Sequence, residues 1–180
     1  MNTTSTPLSA LHRLFVLLFA ICATALFGGC ADEVPQYQSV FFYEALPSTP
    51  REMRETVALP SGTQFTLIKT PALGDENFLN AVAMRVGPAD DRRPALLIQL
   101  DQYAASRVHQ HTLRARGTRM FLGVNGQIVG VHPIMEEIRN GNVFFFVDLP
   151  HRTTEELEAK VVQLAKDLRE SILVIRNSKE

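Results

Sequence analysis

The side chains able to do chemistry are few, and their spacing keeps most of them apart. Five histidines are present. His109 and His111 stand two residues apart in a helix-patterned stretch, so at about 100° per residue they point about 200° apart and cannot hold one metal from one face. Such a pair reads as solvated helix surface. His132 precedes Pro133 at the end of one strand-like run, while Asp148 and His151 flank the end of another. If those ends met in space they would supply an acid–base or metal pair, the basis for a hydrolase or metal-dependent alternative, but nothing in the spacing demands it. Asp90-Asp91 followed by Arg92-Arg93 has the charges for a cation or phosphate site and reads more simply as a solvated loop. No G-x-S-x-G elbow, Walker loop, H-E-x-x-H or Cys–His arrangement occurs. The residues therefore predict no catalytic group, no metal set and no cofactor, and point to a protein that binds rather than catalyses.

The most informative element is GTRMFLGVNGQIVGVHPIM, Gly117 to Met135. Two apolar runs flank Asn125-Gly126, a pair that accepts φ > 0 at both positions of a two-residue type I′ turn, which predicts a β-hairpin. Pro133 has no amide hydrogen, so ladder pairing stops there or an edge is left. Turn formation and close backbone approach account for Gly123, Gly126 and Gly130 without a ligand. The candidate binding edge is the second arm, Gln127, Ile128, Val129, Val131 and His132. Left uncovered, it would accept an added strand.

Other elements must position that hairpin. YQSVFFYEAL, QFTLIK, AVAMRV, ALLIQL and NVFFFVDL read as strands, with a turn at PALGDEN and a helical turn near Phe78. Arg51 to Gly62 is charged and broken by proline, which predicts a mobile connector. Asp101 caps a helix over about 102–116, with Ala105, Val108 and Thr112 on one face and Gly117 as its stop. Thr153 with Glu156 forms a capping box, and Leu157, Val161, Leu164, Leu168, Ile172 and Ile175 make one apolar stripe, predicting a closing helix over 153–175. Strands and helices mix without a βαβα rhythm. The expectation is an α+β fold: a mixed, largely antiparallel sheet with a central Asn-Gly hairpin, covered by two helices.

The first thirty residues differ from the rest. They hold no Asp or Glu and carry the apolar run Leu14 to Phe27 behind His12-Arg13. At about 14 residues the run is shorter than the roughly 20 that span a bilayer, which predicts a signal peptide over 1–29. Its end, Leu26-Phe27-Gly28-Gly29-Cys30, resembles the lipobox of bacterial lipoproteins, although Phe27 stands where that pattern has a small or β-branched residue. The resemblance implies lipid on Cys30, a linker over 30–36 and a membrane partner reached through the lipid. It places the chain in the cell envelope, outside the cytoplasm. Ala31 follows the cysteine and Asp32 comes only after it, which favours the periplasmic face of an outer membrane where the cell has two. With Cys22 removed and Cys30 acylated, no disulfide is expected. A net charge of −1 argues against nucleic acid as a partner.

The order of elements from Leu97 to Leu168 resembles the head region of the first periplasmic domain of SecD, the translocase accessory subunit. The residues carrying the resemblance are Ala105, Val108 (where Phe is usual), Thr112, Gly117, Asn125-Gly126, Pro133, Gly141 and Thr154-Glu155-Glu156. Upstream, FTLIKTPALGDENFLNAVAM and VFFYEAL are similar to the strand, turn and opening strand of that family. The resemblance implies an N-terminal strand and connector over 37–62 and a SecD-head-like domain over 63–180. It also implies a protein or peptide partner in secretion or envelope assembly, with a docking subunit of a membrane complex as the alternative. SecD itself has several membrane helices and works with SecF, whereas no segment after residue 30 is apolar enough to span, so proton-coupled translocation does not carry over.

Overall fold

The computed structural model describes residues 37–178. The expected signal peptide, the lipobox-like end and Cys30 lie outside the described residues. In chain order the elements are β1 (Ser39–Tyr43), β2 (Arg54–Ala58), β3 (Gln64–Ile68), β4 (Leu73–Gly74), β5 (Phe78–Val86) and β6 (Arg93–Leu100), then α1 (Gln102–Thr112), β7 (Arg119–Val124), β8 (Gln127–Pro133), β9 (Asn142–Val147) and α2 (Thr154–Asn177). Seven strands form one sheet in the order β4-β1-β7-β8-β9-β6-β5, and β2 pairs with β3 in a small second sheet. Every pairing is antiparallel. The chain is an α+β fold.

The Asn-Gly hairpin stands at the middle of the large sheet. Asn125 and Gly126 have φ of 51° and 78°, the left-handed pair that a type I′ turn requires. The turn is also clipped to the strand beside it. Asn125 donates its amide to the Gln38 carbonyl at 2.8 Å and accepts the Gln38 amide on Oδ1 at 3.0 Å, which fixes the register Ser39↔Val124.

This placement corrects the expectation of a binding edge at Gln127–His132. β8 is the fourth of the seven strands, held by β7 on one side and β9 on the other. The physical reason is the turn at Asn140-Gly141, where Gly141 takes φ 68° and Asn140 Oδ1 accepts the Asn142 amide at 3.0 Å, sending β9 back along β8. The β8–β9 ladder is short, with Gly130↔Val147 and Val131↔Phe146 extended by the Asp148 amide on the Val129 carbonyl at 2.8 Å. It stops where Pro133 has no N–H to give. There the His132 ring takes over, its Nδ1 2.7 Å from the Phe144 carbonyl, so the protonated nitrogen is Nδ1.

The segment Arg51 to Gly62 is likewise more regular than a connector. After a 3₁₀ turn at Arg51–Met53 it forms β2, which pairs with β3 from Arg54↔Ile68 to Ala58↔Gln64. Leu59 and Leu67, with Val57 and Phe65 beside them, pack on Phe121 and Ile128 of the hairpin and make a small second core. Its charges sit on the solvent side, masking an alternation that Val57 and Leu59 suffice to anchor.

The main core lies on the opposite face of the large sheet. Phe41, Leu122, Leu96, Ile98, Val143 and Phe145 point to that face and meet Ala104 and Val108 of α1 and Leu157, Val161, Leu168 and Ile172 of α2. The cap forms, with Thr153 Oγ1 accepting the Glu156 amide at 3.2 Å, while the Glu156 carboxylate reaches one residue past the cap to the Arg152 amide at 2.9 Å. α1 ends at Thr112, about one turn earlier than its pattern predicts, and Gly117 (φ 84°) turns the chain beyond it. The Thr112 hydroxyl donates to the His109 carbonyl and accepts the Ile138 amide at 3.0 Å, tying the helix end to the β8–β9 loop. Gly130 lies close under the core, and a Cβ built there would come within 2.9 Å of the Phe145 Cβ. Among the described residues no helix is long and apolar enough to cross a membrane, which leaves β-barrels untouched.

Candidate functional site

Half of the second sheet face is covered by the β2–β3 hairpin, and the other half is open. Register defines its composition. Val82, Leu97 and Phe144 lie abreast on β5, β6 and β9, and Met84, Ala95 and Phe146 form the next row. A third row, Asn80, Gln99 and Asn142, closes one end as a chain of amides joined at 3.0 and 3.4 Å. At the other end the Arg93 guanidinium lies 5.8 Å from the Phe146 ring centre, a cation–π contact. Ile128 and Val131 of β8 pack under the small hairpin, His132 and Pro133 line the groove, and the loop after Pro133 forms the remaining wall, where Met135 is 77% exposed. The result is a groove of about 750 Å³ floored by Leu97, Phe144 and Phe146.

The wall is pinned rather than loose. Ile138 is buried in the main core, and Glu137 pairs with Arg139 and lies 3.6 Å from His109 Nε2 on α1. Hydrogen bonding from Arg139 holds the Glu137 carboxyl below the usual carboxylate range. The groove therefore has an apolar floor and a charged, mostly self-neutralised rim.

The structure does not assemble the chemical residues of the sequence into one site. Asp148 lies beside Val129, three residues along β8 from His132 and so roughly 10 Å away. Its carboxylate accepts the Ser61 amide at 3.1 Å, a structural contact with the small hairpin. His151 is exposed and bonded to the Leu149 carbonyl. His111 stacks on Tyr43 with ring centres 3.4 Å apart, and His109 turns instead to Glu137, so the two diverge as their spacing requires. Arg93 pairs with Asp91 at 3.5 Å in an exposed loop. Among the described residues no three His, Cys, Asp or Glu side chains gather in a way that would hold a metal.

No protein-family model and no curated protein matches the chain. Solved structures of SecDF are among those similar to it. One is described as a membrane component, SecDF, that enhances protein export; it is 14% identical, with a TM-score of 0.45, over 76% of this chain and 62% of that one. Another, SecDF in a super-membrane-facing form, is 16% identical, with a TM-score of 0.48, over 74% of this chain and 19% of that one. The chain thus spans less than two thirds of either. SecD, a part of SecDF, is also the family whose motifs the sequence resembles.

The strand patterns held a signal for this face. NVFFFV is apolar at five successive positions, and in a strand that means apolar on both faces. Such a run fits burial between two layers, or one layer and a binding face. Only the strand order tells the two apart, because it sets how far the small hairpin reaches.

His132 gives the fold a pH dependence. Burial pushes its imidazole below the ordinary value, partly offset by the Phe144 carbonyl. The folded protein then resists a proton that the unfolded chain takes up near pH 6.5, so the stabilisation is intact above about pH 6.5 and is lost as pH falls below it. His111, depressed by burial against Tyr43, acts with the same sign. Urea unfolding is expected to show stability falling from about pH 7.5 to about pH 5.5, with a shallower fall in His132→Gln. An unchanged slope in that variant would rule His132 out as a source.

Proposed function

We propose that this chain is a lipid-anchored, extracytoplasmic, non-catalytic module that holds an apolar stretch of another polypeptide on the open face of its sheet. The observation that carries this reading is the apolar floor of the groove, where Leu97, Phe144 and Phe146 are only partly covered, beside the exposed Met84 and Met135. Its volume falls within the range of about 300–1,000 Å³ typical of binding clefts. Exposed methionines suit partners of varied shape, because the thioether chain is flexible and polarisable. The amide row at one end offers donors and acceptors to a bound backbone.

The motif ending at Cys30 supports anchorage in the envelope by lipid, at the periplasmic face of an outer membrane where there are two membranes. The motif resemblance to the SecD head supports a task in secretion or envelope assembly. A photo-crosslinking side chain placed at Phe144 in the membrane-bound full chain tests the reading. Adducts with many polypeptides, each substoichiometric, are the expected result. One stoichiometric adduct would make the chain a docking subunit instead, and no polypeptide adduct at all would end the proposal.

A further inference from the structure

α1 is a helix with two unlike sides. Ala104, Val108 and Thr112 are buried, while Tyr103, Arg107 and Gln110, with Leu113 and Arg114 in the turn that follows, are exposed. Spaced by three and four residues, Tyr103, Arg107, Gln110 and Arg114 make one outward stripe. No Asp or Glu occurs between Asp101 and Glu136, a stretch that holds four arginines. The net charge of −1 for the whole chain conceals this local excess. The outward side of α2 differs, since it mixes signs and pairs Lys160 with Glu156 and Lys166 with Glu170.

One of the four arginines is compensated: Arg119 is held by Glu44 at 2.8 Å, with its guanidinium 5.3 Å from the Phe65 ring centre. Among the described residues, no carboxylate lies within ion-pair distance of Arg107, Arg114 or Arg116. Arg107 and Arg114 line a cavity of about 410 Å³ together with Tyr43, Leu46, Gln110 and His111, and no acidic residue lines it. His111 stacks flat on Tyr43, and the Arg107 guanidinium lies 5.7 Å from the Tyr103 ring centre. Glu137 meets His109 on the other flank of α1 and is already paired with Arg139. A helix C-terminus favours a nearby base, which would account for one cation here. It does not account for the apolar residues beside the cations, where Leu46 is 46% exposed, Leu113 49% and Tyr103 64%.

We propose that the outward side of α1, with the cavity beside Tyr43 and Leu46, is a docking surface for a bilayer that contains anionic phospholipid; the proposal rests on the lipid anchorage proposed above. Arg107 and Arg114 meet headgroup phosphates, which a guanidinium matches with two parallel hydrogen bonds. Tyr103, Leu46 and Leu113 enter the interfacial zone, where amphipathic rings and leucines beside basic residues are favoured. An acidic polypeptide would answer the arginines alone, whereas exposed leucines beside them fit a surface that is anionic outside and apolar beneath. The chain from Cys30 to Tyr37 reaches up to about 24 Å when extended, more than the roughly 20 Å of strand from Tyr37 to Tyr43, so its length permits both attachments to one bilayer. α1 packs on the main-core face of the sheet and the groove lies on the other, so docking leaves the groove open.

The chain contains no tryptophan, so Leu113→Trp supplies a single reporter. In the full chain on phosphatidylcholine vesicles carrying about 30% phosphatidylglycerol, its emission is expected to shift to the blue and to be quenched by brominated acyl chains. On phosphatidylcholine alone it is expected to match the detergent-solubilised protein, and about 0.5 M salt should reverse the shift. Arg107→Ala with Arg114→Ala should lower the ratio of docked to free domain roughly thirtyfold, at about fivefold for each arginine. Both arginines are exposed, and an unchanged far-UV circular dichroism spectrum shows that the double variant folds. Ser61→Trp, exposed on the small hairpin across the sheet, is the control and is expected to show no shift. Flotation with phosphatidylcholine vesicles reports the anchor separately: a chain that floats with them but shows no shift on the anionic vesicles overturns the docking surface and spares the anchorage. A chain that does not float, yet shifts on the anionic vesicles, keeps the docking surface and ends the anchorage. An equal shift from Ser61→Trp, a shift that survives loss of both arginines, or one reproduced by soluble polyglutamate overturns the proposal.

Discussion

Phe145→Ala is expected to lower the unfolding free energy by about 3–5 kcal/mol, a large share of the roughly 5–15 kcal/mol that a domain of ordinary size possesses. Phe145 is fully buried on the middle of β9, edge-on to Phe41 with ring centres 4.8 Å apart, and Phe41 in turn meets Phe78 at 4.8 Å. Three rings contributed by β1, β5 and β9 thus hold together strands that are not neighbours in the sheet. Gly130 matters for the same packing, because its missing side chain leaves Phe145 its place. Whatever part of the resulting cavity the surroundings do not fill adds its cost to the lost transfer energy. Phe144→Ala, one residue earlier and only partly buried on the open face, is the internal control and should cost less. Urea midpoints at a common slope measure both. Equal losses would mean that the two faces of β9 do not differ as described.

The faces of β9 also mark the limit of what the sequence discloses. Local signals were sufficient for the hairpin, since Asn125-Gly126 determines its own turn, and for α2, since Thr153, Glu156 and a stripe from Leu157 to Ile172 specify cap and face together. Signals that depend on distant partners were not. Nothing within Gln127–Val131 announces that β9 will return along it; that follows from a turn at Asn140-Gly141, ten residues later. β2 was hidden for a related reason: a strand anchored by Val57 and Leu59 against the far side of the hairpin has no period long enough to read among Arg51, Glu52, Arg54 and Glu55. The candidate site suffered most. Its floor is made from β5, β6 and β9, which come together only through sheet order, and its residues are apolar, so a search for reactive groups passes over them. His132 has the side chain of a chemical residue, whereas its ring completes a ladder that proline interrupts.

On the open face, Phe144→Ala should weaken binding of an apolar peptide by about tenfold to a hundredfold, equivalent to roughly 1.4–2.8 kcal/mol, the range in which a buried aromatic anchor falls. Phe144 lies in the central apolar row with Leu97 and Val82, and its other neighbours are the His132 ring at 4.7 Å and Phe146 at 5.5 Å. A ligand lying across the groove must cover that ring. A fluorescein-labelled peptide of alternating leucine and serine is a suitable probe, because in extended form it presents every leucine to one side. Replacing its leucines by lysine removes the apolar face and should abolish binding. Arg139→Ala, at the rim where charge is neutralised by Glu137, should change affinity less than about twofold, as rim contacts usually do. Phe65→Ala, in the small hairpin that packs on Phe121 away from the groove, should leave affinity unchanged at temperatures where the variant is folded. Raising salt should have little effect on the parent chain, since the driving force is burial and not charge. Strong salt dependence, or equal losses from Phe144→Ala and Phe65→Ala, would place binding elsewhere and leave the open face without a ligand.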